Sequence, residues 1–372
     1  MKHLKNFLSL ILLALLFACN SDSDVAPNSL SKQIDDHLEQ NQNPSEPGLS
    51  ILIKHEGEII YERSVGLARK VDSHLIDTDT QFRIGSITKP ITAIAIMKLV
   101  EEDKLELSDK LLKFLPELPS SFSEINVNHL LTHRSGLRDY IDDNNDLNTL
   151  DNLPTSAVLD FVDGSGLENL KFEPGMAGDY SNTGYVFLAL IIEKVTGISY
   201  PDYLRMKIFE PVKMSNTFVI SESQHLGDNG NNYALSFATN LNVLGFNSLI
   251  YGAGGVASTA NDLMRLSDAL LNYEIVTKET HDQMTQTYSS IPEYGDYGLG
   301  WFTGTGSYWH AGKFSDVNDF WHMGGFDGYR TVLSINPDLH LQVAILSNNG
   351  QTTQDLFLEI LRMTRIYIKQ SM

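Results

Sequence analysis

A serine and a lysine three residues apart, Ser86-Ile87-Thr88-Lys89, stand just ahead of an apolar run from Ile91 to Val100. Residues three apart on a helix share a face, so the Lys89 amine can reach the Ser86 hydroxyl. Such a hydroxyl is a weak nucleophile until a neighbouring base takes its proton. Gln81 to Ile84 reads as a strand and Gly85 as a turn, which puts Ser86 at the first turn of a helix. There it would meet unpaired backbone N–H groups and the positive end of the helix dipole. Tyr180-Ser181-Asn182 adds a second base. Tyr180 could act as a phenolate if Lys89 and other donors lower its pKa from about 10. A neutral Lys89 is the alternative, and the sequence leaves both open. In an extended segment Asn182 would point its amide to the same side as Tyr180. The third stretch, His322-Met323-Gly324-Gly325, precedes the runs Tyr329–Ile335 and Leu341–Leu346, joined by Asn336-Pro337-Asp338. That pattern predicts an antiparallel strand pair.

In this order the three stretches resemble the S-x-x-K, Y-x-N and K/H-x-G motifs of serine β-lactamases and penicillin-binding proteins, a family that also holds D,D-peptidases and esterases. Chance copies exist: Ser29-Leu30-Ser31-Lys32 repeats the first motif, and His55 and His310 each begin an H-x-G. Context favours Ser86 and His322. The resemblance extends over about residues 30–361 through Leu130–Leu137, Phe172–Gly175, Gly252–Leu263 and Tyr297–Trp301. It implies that Ser86 is the nucleophile, with Lys89 and Tyr180 moving its proton. Asn182 would then bind the substrate's amide or ester and steady Lys89. The N–H groups of Ser86 and Gly325 would form the oxyanion hole, with Gly324 and His322 beside them as substrate-binding residues. His133 is read as structural, because this machinery leaves no vacancy for it. Most β-lactamases of this type carry Lys where this chain has His322. An unperturbed imidazole is mostly neutral at pH 7–8, so weak handling of the β-lactam carboxylate is expected, with a rise for anionic substrates toward pH 6. The implied activity is hydrolysis of amide or ester bonds through an acyl-enzyme, without cofactor or metal. D-amino-acid peptides, small esters and β-lactams are the candidate substrates. The alternative is a weak penicillin sensor or a binding protein on the same fold.

Positioning these groups requires an α/β (α+β) arrangement: an antiparallel sheet flanked by helices on both faces, with an inserted mainly helical domain. Leu49–Lys54 and Ile59–Val65 read as a hairpin turning at Glu56-Gly57, and helices are expected after Ser86, at Ser156–Val162, Thr183–Val195, Asp262–Leu271 and Asp355–Lys369. Lys2 and Lys5 precede an apolar run, Phe7 to Phe17, that leads to the chain's one cysteine, Cys19. Residues 1–18 are therefore expected to be a signal peptide and Cys19 a lipidation site. Residues 19–29 would be a polar tether, and 30–372 the hydrolase domain, anchored in a bacterial cell envelope. The net charge of −20 argues against nucleic-acid partners. The acidic run Asp142–Asp146 lacks the glycine and glutamate of a calcium loop.

Overall fold

Alternation of period two builds the centre of the molecule. In the strand Leu49–His55 (β1), Leu49, Ile51 and Ile53 enter one core and Leu52 the other. The strands Tyr329–Asn336 and Leu341–Ser347 repeat this, with Val332 opposed to Leu333 and Val343 and Ile345 opposed to Ala344 and Leu346. Such strands are buried on both faces and need cover on each. In this computed structural model, residues 29–140, 168–221, 232–235, 250–304 and 318–371 are described, with 159 and 226 besides and without 293, 327 and 351–353.

The remaining strands in chain order are β2 (Glu58–Val65), β3 (Leu67–Arg69), β4 (His74–Leu75), β5 (Phe82–Arg83), β6 (Phe218–Val219), β7 (Val256–Ser258), β8 (Ser289–Ile291), β9 (Gly295–Tyr297), β10 (Phe302–Thr303) and β11 (Phe320–Phe326); the pair named above are β12 and β13. Eight of them form one antiparallel sheet in the order β2-β1-β13-β12-β11-β10-β9-β8. β10 pairs with β11 only at Trp321 and Phe320. Among the described residues, no strand pairs with the outer edge of β11 from His322 to Phe326.

Helices α1 (Leu30–Asn41) and α9 (Gln354–Ser371) pack together on one face, contributing Ile34, Leu38, Phe357 and Ile360. On the other face lie α2 (Thr88–Glu101), α7 (Ala260–Leu271) and α8 (Lys278–Thr285), in one core with α3 (Leu111–Phe114), α4 (Val127–Leu131), α5 (Asn182–Thr196) and α6 (Tyr200–Leu204). Every residue of α2 from Thr88 to Met97 is buried, so this is an interior helix without a polar face.

One sequence expectation changes here and another is supported. The strand expected over Gln81–Ile84 shrinks to Phe82–Arg83 and joins β7 and β6 in a separate three-stranded sheet. Gly85, at φ 53°, turns the chain away before it can extend further. The copy of the first motif at Ser29 is a helix cap: its side chain accepts from the Lys32 N–H, and Lys32 pairs with Asp36 on the surface. Residues 1–28 with Cys19, the 142–146 run, His310 and all of the 156–162 helix but Leu159 lie outside the described residues. Among those described, no helix is long and apolar enough to cross a membrane.

Candidate active site

Ser86 sits in a 3-10 turn, Gly85–Ile87, that leads directly into α2. The turn is clasped by the third motif. Thr331 on β12 donates from its hydroxyl to the Ile84 carbonyl at 2.8 Å. Gly324 lies so close to that carbonyl that a Cβ there would stand 1.8 Å from the Ile84 oxygen. A Cβ on Gly85 would stand 3.0 Å from the Gly325 nitrogen, so the peptides of Ser86 and Gly325 are brought side by side. The glycine of this motif is thus required by backbone contact, while Gly325 is exposed.

Lys89, the second residue of α2, is fully buried. Its Nζ lies 3.0 Å from Ser86 Oγ, 2.7 Å from Asn182 Oδ1 and 2.9 Å from the Ala253 carbonyl. Burial lowers its pKa to about 7, opposed by the charge of Asp139. Ser181 is the N-cap of α5 and is itself extended, so Tyr180 and Asn182 on either side of it turn toward Lys89. Asn182 is already the first residue of the helix. Ser86 beside the Tyr180 hydroxyl favours its charged form, and the Tyr180 ring centroid lies 4.7 Å from Lys89 Nζ. Burial pushes the Tyr180 pKa well above 10. Of the two bases the sequence left open, the Tyr180 phenolate is therefore disfavoured in the free protein, and the Lys89 amine is the group poised near neutrality.

His322 departs from expectation more sharply. Its ring is buried, and both nitrogens are engaged within the protein. The Met323 carbonyl, 2.6 Å from Nδ1, can only accept, so Nδ1 carries the hydrogen. Nε2, 3.1 Å from the Tyr297 hydroxyl, is then the acceptor. Burial and the nearby Lys89 lower its pKa to about 3. The expected gain of charge toward pH 6, and with it a carboxylate contact from this ring, is corrected: no nitrogen is left to offer. The ratio of kcat/KM for a carboxylate-bearing ester to that for its neutral analogue should accordingly stay flat between pH 8 and pH 6. A selective rise of the anionic ester, absent in His322→Gln, would contradict this.

His133 is likewise buried, and its Nδ1 accepts the Ser181 N–H at 3.1 Å. Its ring packs 4.4 Å from that of Tyr180, so it braces the second motif. Three participants had no role in the sequence reading. Ala253 offers the carbonyl to Lys89, and Tyr297 holds His322. Asp139 accepts from both the backbone N–H and the side-chain amide of Asn182. The first two fall in stretches that carried the family resemblance. Asp139 had no such signal.

The sequence profile of the family described as Beta-lactamase matches residues 34–366. Penicillin-binding protein 4* of Bacillus subtilis (strain 168) is 29% identical over 323 residues, which cover 82% of this chain and 69% of the relative. Protein flp of Staphylococcus aureus (strain MRSA252) is 26% identical over 341 residues, covering 86% of this chain and 63% of that one. The chain thus spans about two thirds of the length of these relatives. The octameric penicillin-binding protein homologue from Pyrococcus abyssi superposes with a TM-score of 0.76 at 27% identity, over 91% of this chain and 76% of the other. The D-amino acid amidase from Ochrobactrum anthropi shares the fold with a TM-score of 0.76 at 23% identity, over 92% and 98% of the two chains. A match of that extent, on a fold those proteins share, makes this chain a member of the beta-lactamase family of serine β-lactamases and penicillin-binding proteins.

Proposed function

We propose that this protein is a serine hydrolase that forms an acyl-enzyme on Ser86 and then releases it to water. The observation that carries this is the hydrogen bonding of Lys89. Two of its three neighbours, the Asn182 Oδ1 and the Ala253 carbonyl, can only accept. A neutral amine has two hydrogens and spends both on them. Its lone pair is then left facing Ser86 Oγ at 3.0 Å. Lys89 takes the hydroxyl proton as Ser86 attacks the substrate carbonyl carbon. The oxyanion forms against the backbone N–H groups of Ser86 and Gly325. The Tyr180 hydroxyl, beside Ser86, gives its proton to the leaving nitrogen or oxygen and recovers one from Lys89. Water repeats the sequence in reverse.

Substrates of this reading are amides or esters of the D-amino-acid peptide or small-ester kind. β-Lactams are disfavoured, because neutral His322 supplies no cation for their carboxylate. We further propose that Cys19 carries a lipid that tethers the domain to the cell envelope; the apolar run before it supports this.

A fluorophosphonate probe should label the protein once, with the adduct mapping to Ser86, and Ser86→Ala should label at background. Undiminished labelling of that variant would mean another nucleophile. Nitrocefin, p-nitrophenyl esters and D-Ala-D-Ala peptides then sort the substrate class, and labelling without turnover of any of them would favour a penicillin-binding sensor instead.

A further inference from the structure

We infer that Asp139 is the positioning residue that aims Lys89 at Ser86, by fixing which end of the Asn182 amide faces the amine. The inference rests on the roles proposed above for Ser86 and Lys89. Asp139 lies beyond the end of α4 and is 2% exposed. One of its oxygens, Oδ2, accepts the Asn182 backbone N–H at 2.7 Å and the Asn182 Nδ2 at 2.8 Å. The first bond satisfies an N–H that the helix itself cannot satisfy. The second decides the orientation of the amide. With Nδ2 held by the carboxylate, Oδ1 must point the other way, and it meets Lys89 Nζ at 2.7 Å.

Reversing that amide would set Oδ1 against the Asp139 carboxylate, two acceptors with no hydrogen between them. It would also present Nδ2 to Lys89. An ammonium would then face a donor. A neutral amine would accept from Nδ2 with its lone pair, which would turn that pair away from Ser86. Either outcome removes the base. The direction of the lone pair is therefore set by a carboxylate three hydrogen bonds away from the nucleophile.

Charge works in the same sense. Lys89 is faced by His133 beyond α4, by Tyr180 and Tyr185 at the start of α5 and by His322 on β11. Burial holds both imidazoles below their ordinary pKa and both phenols above theirs. These four are uncharged near neutral pH, and Asp139 supplies the anion that opposes the effect of burial on the amine. Taking that charge away should lower the pH at which Lys89 titrates.

The test measures two midpoints in wild type and in Asp139→Asn. Lysine labelled with ¹³C at Cε reports the titration of Lys89 by NMR, and the pH dependence of fluorophosphonate labelling reports the base. In wild type the two midpoints should coincide near pH 7. In Asp139→Asn both should fall together by about one unit, and the labelling rate at its plateau should drop tenfold or more. A residue that merely caps α5 would lower the melting temperature and leave both midpoints in place; that result overturns the inference. Should Asp139→Asn fail to fold, Asp139→Glu keeps the charge and displaces the carboxylate. It should hold the Lys89 midpoint near wild type while labelling at least tenfold more slowly, and a wild-type rate would overturn the inference. Absence of wild-type labelling at Ser86 would instead defeat the hydrolase proposal, and the NMR midpoints would still judge Asp139.

Discussion

Lys89→Met should lower the rate of Ser86 acylation by about three orders of magnitude, the middle of the range for loss of a positioned general base. Tyr180→Phe should be nearly as damaging, and the double variant little worse than either, because the two groups pass one proton between them. Losses that add in log kcat would show them acting separately. The same lysine variant should be more stable than wild type. The native amine titrates near 7, whereas an unfolded lysine titrates near 10.4. Between those values the unfolded chain holds a proton that the native one has lost, so wild-type stability rises with pH through that window. Lys89→Met lacks this term. Its advantage in urea melts should be greatest at pH 7 and below and should shrink toward pH 10. A gap that widens with pH would mean that the buried amine is not a burden on the fold.

Two adjacent glycines should give opposite results. In Gly324→Ala the new methyl would stand 1.8 Å from the Ile84 carbonyl oxygen and 2.2 Å from Thr331 Oγ1. Ile84 is backbone and cannot step aside, so either β11 or the Ser86 turn must move. A loss of about 3 kcal/mol, at the severe end for overpacking, is expected in chemical denaturation, together with loss of probe labelling. In Gly325→Ala the nearest atom to the new methyl is Arg330 Nη1 at 3.6 Å, an ordinary contact. Its melting temperature should stay close to that of wild type. Equal destabilisation of the two variants would show that the clasp between β11 and the nucleophile turn is not what makes Gly324 necessary.

Local pattern carried much of the architecture. The alternation of β1, β12 and β13 and the long apolar runs of α2 and α5 are periodicities that a short window contains. Ser86 and Lys89 were legible for the same reason, since their separation is one helical turn. What escaped was set by partners distant in sequence. The pKa of His322 was expected to stay near 6.5, yet burial and Tyr297, 25 positions earlier, take the ring out of that range. Asp139 looked like one more acid ahead of a polar loop, and only the arrival of Asn182, 43 positions on, turns it into an interior group. The choice between Tyr180 and Lys89 as base stayed open for the same reason, because the rings that enclose Tyr180, His133, Tyr294 and Phe302, come from three other segments. Strand β5 was overestimated for a more local reason, the positive φ of Gly85.

The order of strands in the large sheet has a consequence for how the protein is made. β1 lies between β2 and β13, with Leu49 opposite Ser347 and His55 opposite Leu341. Beside that seam the Gly48 N–H is held by the side chain of Asn348, 300 positions away. At a synthesis rate of about 5–20 residues per second, the hairpin of β1 and β2 waits roughly 15–60 s for its second neighbour. During that interval the edge bearing Leu49, Ile51 and Ile53 is an open template for any other extended chain. Closing so distant a pair is also a slow step in itself. The nucleophile, clasped by β11 and β12, becomes competent only after these late-made strands have joined the turn that carries it.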